Sequence, residues 1–145
     1  MRGSSSDARM KYLSLALFAQ KIIDALIEYV DEGSTEKLDA CAPEAITSLK
    51  AVLSSQPTAS RTRAIRYYEQ VRTINEIEPD KNEWRHVIQM LERLLEAGRV
   101  PRAQKVRNAK EAIRFFHKIE NQALLNCNRP DKPLPKGLHS LFASR

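Results

Sequence analysis

The scarcity of glycine and the lack of alternating apolar and polar residues constrain this chain most. It has four glycines in 145 residues, and no stretch keeps the two-residue period of a half-buried strand. Apolar residues instead recur three and four positions apart, the period of one helical face. The sequence therefore predicts an all-α fold, a compact bundle of about five helices in a single domain of residues 1–128.

The clearest predicted helix begins after Asp80. Asp80 and Glu83 have the spacing of a capping box, and Gly98 is suited to end the helix in a left-handed conformation. The residues between them place their apolar members on one face. These are Trp84, Val87, Ile88, Leu91, Leu94 and Leu95. With Ile113 and Phe116 from a later helix, Trp84, Leu91 and Leu94 are expected near the centre of the core.

The first helix is predicted from about residue 7 to residue 32, after a disordered leader of residues 1–6. Ser6 or Asp7 would be its N-cap, and Gly33 its C-terminal stop. Leu15, Phe18 and Ile27 lie outside the predicted core face, so part of this helix is open to another chain. The predicted core face consists of Leu13, Leu17, Ile22 or Ile23, Leu26 and Val30.

Two observations bear on the cellular compartment. Lys21, Asp24 and Glu28 interrupt the apolar stretch of the first helix, which is typical of an amphipathic helix and not of a membrane span. Cys41 and Cys127 have no partner pattern, which favours two reduced thiols over a disulfide. We therefore expect a cytoplasmic protein without membrane association.

The middle of the chain predicts two more helices. A turn over residues 34–38 is followed by a helix that begins at Pro43, because proline suits the first helical position, and ends near Ser54. A third helix is capped by Thr58 or Ser60 and ends near Ile77.

All of the excess positive charge lies at the C-terminal end. The formal net charge is +6, yet residues 1–98 sum to −2 and residues 99–145 to +8. Residues 129–145 form a basic tail in which three prolines and a glycine predict an extended conformation. A basic excess of this kind favours a polyanionic partner.

The fifth helix, from Pro101 to about Cys127, carries most of this charge. At 100° per residue, four of its basic residues fall within an arc of about 80°, opposite an apolar face. Those four are Arg107, Lys110, Arg114 and Lys118. Arg102 and Lys105 are further candidate contacts, and Arg61, Arg63 and Arg66 are a second basic cluster. An ordinary solvated helix face explains the same pattern, and the sequence leaves that alternative open.

Catalytic signatures are not found in the sequence. His86, His117 and His139 are isolated, and neither cysteine has a second cysteine at metal-ligand spacing. Four glycines leave little material for a phosphate-binding loop or a nucleophile elbow. We therefore predict a non-enzymatic protein with no catalytic residue, metal site or cofactor.

Three short segments resemble the small α-helical subunit of type III-A CRISPR RNA-guided effector complexes. They are Thr58–Arg63 with Tyr67–Val71, Leu94–Arg99, and Arg114–Phe116. The spacing from Arg63 to Val71 is two residues longer than in that family, and the first helix and the tail have no clear counterpart. The resemblance implies a non-catalytic, filament-forming subunit that lines guide and target RNA, with Arg61, Arg63 and Arg99 as backbone contacts.

The sequence thus predicts a helical subunit that binds the phosphate backbone of RNA, or of another nucleic acid, within a protein complex. The alternative is a helical adaptor or assembly subunit that recognises an acidic or apolar protein and has no nucleic-acid role. The two differ in salt response, because phosphate contacts weaken steeply with salt and apolar contacts do not.

Overall fold

A computed structural model describes residues 2–54, 65–78, 80–96, 98 and 100–128, with residues 2–8 as backbone only. Across these residues the fold is an all-α bundle, as predicted. Its elements are α1 (Arg2–Glu32), α2 (Glu36–Ser54), the single turns α3 (Tyr68–Val71) and α4 (Ile74–Ile77), α5 (Lys81–Leu95) and α6 (Arg102–Asn128). The predicted basic tail and the start of the third helix lie outside the described residues.

The bundle is built on α1 and α6, which pack along each other more extensively than any other pair. They are antiparallel: Tyr12 at one end of α1 lies beside Asn126, and Tyr29 at the other end lies beneath Arg102. α5 packs against both α2 and α6, and α2 closes the remaining side against α1. The long apolar seam between α1 and α6 therefore determines which face of α6 reaches solvent.

The hydrophobic core joins all of these helices. Trp84, Leu91, Leu94 and Phe116 are buried, and the partly buried Ile113 packs against them, as the sequence predicted. The largest side chains that are completely buried also include Phe18, Leu15, Ile22, Leu26 and Ile119. Burying a side chain of this size is worth roughly 1.5–3 kcal/mol relative to leaving it exposed.

The helical face assigned to α1 was partly wrong. Leu15 and Phe18 are fully buried within the chain, whereas Leu17, predicted in the core, is 51% exposed. Apolar residues surround this stretch of helix, so spacing alone does not decide which side docks. The helix also begins at Arg2 and not at Ser6 or Asp7, and it extends into the predicted leader.

The second helix is continuous where the sequence predicted a break. Pro43 lies inside α2 and does not begin a new helix. Its missing N–H leaves the carbonyl of Asp39 without an intrahelical donor, and both residues are exposed, so water can replace that bond. Leu38 and Cys41 before the proline, and Ile46 after it, are buried together, and this shared packing favours one helix.

The described part of the predicted third helix is two single turns. Tyr67 has a left-handed backbone with φ of 73°, which prevents a continuous helix from forming through it. Arg72 and Thr73 then separate α3 from α4. The end at Ile77 is as predicted.

The start of α5 has the predicted cap with one change of partner, whereas its end differs from the prediction. The Asp80 carboxylate accepts a 3.0 Å hydrogen bond from the Asn82 amide, so Asp80 is the N-cap. The amide of Asp80 donates to the Glu78 carboxylate at 3.2 Å and not to Glu83, so the capping box is not reciprocal. Gly98 has the predicted left-handed conformation with φ of 83°, but it lies three residues beyond the helix end, where the C-cap residue is extended, so it does not end α5 as predicted.

Candidate nucleic-acid interface

The outer face of α6 carries three cationic side chains that we call the basic row: Arg107, Lys110 and Arg114. All three are exposed, one turn apart, on the opposite side of the helix from the buried Phe116. Within the described residues, no carboxylate lies within 4.0 Å of any of them. Among the described residues, their side chains make a single hydrogen bond, from Arg107 to Gln104 at 2.7 Å.

Lys118 continues the row by one turn but is held by the protein. Its Nζ donates a hydrogen bond to the Glu78 carboxylate and lies 5.4 Å from the ring centroid of Phe115. The Glu78 side chain is only 15% exposed, so this ion pair is shielded on one side. Lys118 is therefore less available to a ligand than the three residues of the row.

Arg102 and Lys105 do not lie on the basic row. The Arg102 guanidinium lies 5.4 Å from the ring centroid of Tyr29, close to Gly33 at the end of α1. Lys105 donates a 2.6 Å hydrogen bond to the backbone carbonyl of Glu96. Both residues face other sides of α6, so the six predicted contacts on this helix do not form one surface.

Arg66, the one residue of the second basic cluster that the structure describes, is not adjacent to the row. Arg66 pairs with Glu44 at 3.5 Å and covers the Tyr67 ring at 5.6 Å. That ring contacts Phe18 at 5.6 Å between centroids, and Phe18 contacts Phe116 at 6.3 Å. The core thus lies between Arg66 and the outer face of α6. Arg61, Arg63 and Arg99 lie outside the described residues.

One side of the row is bordered by acidic groups that sequence analysis missed. A groove between α5 and α6 holds Glu83 and His86 from one helix and Glu111 from the other, beside Arg114. His86 Nε2 lies 3.4 Å from the Glu111 carboxylate. Glu111 is four residues beyond Arg107 and was visible as the one acid in the basic stretch, but its neighbours on α5 come from the tertiary fold. A polyanion on the row is therefore repelled from this side.

No protein-family model matches this chain, and no curated protein or solved structure matches it either.

The described residues contain no group of three or more histidine, cysteine or carboxylate side chains placed to hold a metal ion. In the same part of the chain, no helix is long and apolar enough to cross a membrane.

Proposed function

We propose that this protein is a non-enzymatic helical subunit that binds the phosphate backbone of a nucleic acid, RNA foremost, through the basic row. Arg107, Lys110 and Arg114 supply the contacts. Each arginine offers several N–H donors in a plane that matches a phosphate, and the lysine adds a mobile point charge.

The single observation that carries this proposal is that three cations, one turn apart on one exposed face of α6, have no carboxylate within 4.0 Å among the described residues. Some exposed basic groups elsewhere in the described chain, such as Lys50, pair with a carboxylate, and those that do not, such as Lys21 and Arg85, do not form a row of three. The helix that carries the row is docked through Phe116 and Ile119. Three unpaired cations on a rigid helix are pre-organised for a ligand with repeating negative charge.

The number of contacts sets the expected salt dependence. Three phosphate contacts to a single strand predict a slope of about −2 in the plot of log K against log salt concentration. Six or more contacts, as the sequence suggested, would need residues on faces of α6 that point elsewhere. We infer a moderate affinity that depends on other subunits or on the tail for additional contacts.

The resemblance to the small subunit of type III-A CRISPR complexes fits the same proposal. It would place this chain in a cytoplasmic, RNA-guided defence complex, beside other protein subunits along the RNA. The RNA contacts that the resemblance implies are Arg61, Arg63 and Arg99. None of them belongs to the basic row, so the row would be an additional RNA contact in such a complex.

The chain offers a closely matched pair of variants to test the row. Lys110 and Arg114 are four residues apart and exposed on α6, and Lys81 and Arg85 have the same types, spacing and exposure on α5. We expect Lys110→Glu with Arg114→Glu to weaken binding of a single-stranded RNA at least tenfold. Lys81→Glu with Arg85→Glu changes the net charge equally and should leave the affinity within about threefold. An equal loss of RNA affinity in both double variants would mean that binding depends only on net charge, and it would refute the proposal.

A further inference from the structure

A second groove lies on α1, on the side away from α6. Its volume is about 600 Å³. It is lined by the exposed side of α1 around Leu17 and Lys21, by the first turns of α2 around Lys37, and by Arg66 and Tyr67. Three separate elements thus converge on a concave site of the size that small organic ligands occupy.

The charge of this groove is positive. Lys21, Lys37 and Arg66 line it, with Asp24 as the acidic lining residue. Within the described chain no carboxylate lies within 4.0 Å of Lys21. Lys37 and Arg66 lie 3.9 Å and 3.5 Å from the carboxylates of Glu28 and Glu44, which are outside the groove lining. The pair of Arg66 and Glu44 is exposed on both sides and contributes little, so a ligand anion can replace it, whereas the Glu28 side chain is only 20% exposed and keeps part of the charge of Lys37.

The same groove also presents apolar surface. Leu17 is 51% exposed, although the other large apolar residues of this part of α1 are buried. Tyr67 contributes a partly buried ring, supported from behind by Phe18. Ala25 and Ala40 form part of the lining and leave room for a flat group. A ligand that fits both properties is an anion attached to an apolar body.

The side of the groove formed by Arg66 and Tyr67 is fixed in a strained conformation. A left-handed backbone at a tyrosine costs of order 1–3 kcal/mol and persists only when surrounding contacts enforce it. The Ser48 hydroxyl donates a hydrogen bond to the Arg66 carbonyl, and the amides of Gln70 and Val71 donate to the Tyr67 carbonyl at 3.0 Å. The backbone that carries both side chains is thus fixed at the groove before any ligand binds.

We propose that this groove binds a small phosphate ester with a planar apolar body, of the nucleoside monophosphate class. Lys21, Lys37 and Arg66 bind the phosphate, and Leu17 and Tyr67 contact the planar body. The α1 lining runs over nine residues, from Leu17 to Ala25, about 12 Å along the helix axis, which matches such a ligand and is short for a docked helix. The site lies across the core from the basic row. Nucleotide binding in the groove is therefore independent of RNA binding by the row.

The test is an amide NMR titration of the whole chain with adenosine monophosphate, with adenosine and ribose 5-phosphate as half-ligands. We expect shifts at the amides of Leu17, Lys21 and Tyr67, and at least tenfold weaker binding of either half-ligand. Lys21→Glu should weaken binding at least tenfold, and Lys81→Glu should not. An absence of shifts at these amides, or equal binding by Lys21→Glu, would overturn the proposal.

Two further measurements make the outcome specific. Leu17→Gln removes an apolar contact at a half-exposed position, where the fold tolerates a polar residue. We expect it to weaken the binding of adenosine monophosphate but not that of ribose 5-phosphate. In the variant Lys110→Glu with Arg114→Glu, the affinity for adenosine monophosphate should be unchanged. If a short single-stranded RNA then shifts the same amides, the ligand is a nucleotide within a strand; if only the monophosphate does, it is a free nucleotide. Amide shifts at the groove that are caused by an acidic peptide, with none caused by adenosine monophosphate, would contradict the proposal.

Discussion

Phe18 of α1 and Phe116 of α6 meet edge to face, with ring centroids 6.3 Å apart and planes at 71°. Both rings are fully buried. Phe115 packs against Phe116 at 5.2 Å in the same geometry, so aromatic contacts continue along the inner face of α6. The position of the basic row on the opposite face therefore depends on the hydrophobic core and not on ion pairs.

Replacement of Phe116 by alanine should destabilise the protein by about 3–5 kcal/mol, through lost burial and the cavity left between α1 and α6. Urea unfolding followed by circular dichroism measures this. Leu124→Ala is the control on the same helix, because Leu124 is 39% exposed and should cost less than about 1 kcal/mol. Similar losses in both variants would contradict the assignment of the α6 core face.

The cap of α5 provides a second prediction. Asp80→Ala should cost about 1 kcal/mol, because it removes the acceptor for the Asn82 amide. Glu78→Ala should also destabilise, because it removes the acceptor for the Asp80 amide and the ion pair with Lys118. Glu83→Ala should cost less than either, since Glu83 lacks the reciprocal bond. If Glu83→Ala destabilises the protein as much as Asp80→Ala does, the reciprocal capping box that the sequence predicted forms in solution.

These helices show which local signals can be read from sequence. Asp80 acts through a hydrogen bond to an amide two residues away, so its role was predictable, whereas Gly98 is left-handed but lies beyond the end of α5 and does not cap it. Pro43 was misinterpreted because its tolerance inside α2 depends on tertiary burial of Leu38 and Ile46 on either side. Tyr67 gave no signal, because a left-handed tyrosine is enforced by contacts from elsewhere, including Ser48.

The candidate interface also combines a local feature, which the sequence predicts, with tertiary contacts, which it does not. The arc of Arg107, Lys110 and Arg114 follows from helical geometry alone and was predicted correctly as a shared face. Lys118 pairs with Glu78, which lies 40 residues away in the sequence. Helical periodicity cannot predict a contact between two such distant residues. The distance of Arg66 from the row depends likewise on how α1 and α6 pack.

The indole of Trp84 supports a third prediction. Its Nε1 donates a 2.7 Å hydrogen bond to the Glu78 carbonyl, and the side chain is 1% exposed. Trp84→Phe should cost about 1–3 kcal/mol, since it leaves a carbonyl of low exposure without its donor and reduces packing. Equilibrium urea unfolding of both proteins measures the loss. An unchanged midpoint would show that the hydrogen bond does not form in solution.

Cys41 supports a fourth prediction, on reactivity. Burial raises the pKa of the Cys41 thiol above its ordinary value, and the nearby Lys21 ammonium partly opposes this. Because the thiolate is the reactive form, iodoacetamide at pH 8 should modify Cys41 more slowly than the more exposed Cys127. Lys21→Gln should slow Cys41 further. Peptide mass spectrometry gives both rates, and faster modification of Cys41 would contradict its burial.

The same thiol predicts a dependence of stability on pH. Its folded pKa is raised, so its contribution to stability is present below the ordinary value of 9.0 and is lost as the pH rises above it. Urea unfolding at pH 8 and pH 10 should show a loss that is smaller in Cys41→Ala. An identical loss in the variant would assign the effect to other groups, such as Tyr12, whose pKa is also raised, chiefly by burial and secondarily by its bond to Glu76.

Phosphate binding by the basic row is tested most directly by the anisotropy of a labelled single-stranded RNA of about 30 nucleotides, titrated at several salt concentrations. Substitution of Arg107, Lys110 and Arg114 by glutamine should weaken binding and reduce the slope of log K against log salt by about 2, with the helical signal and melting temperature nearly unchanged. Affinity and slope identical to those of the unmodified protein would contradict the account and favour the protein adaptor.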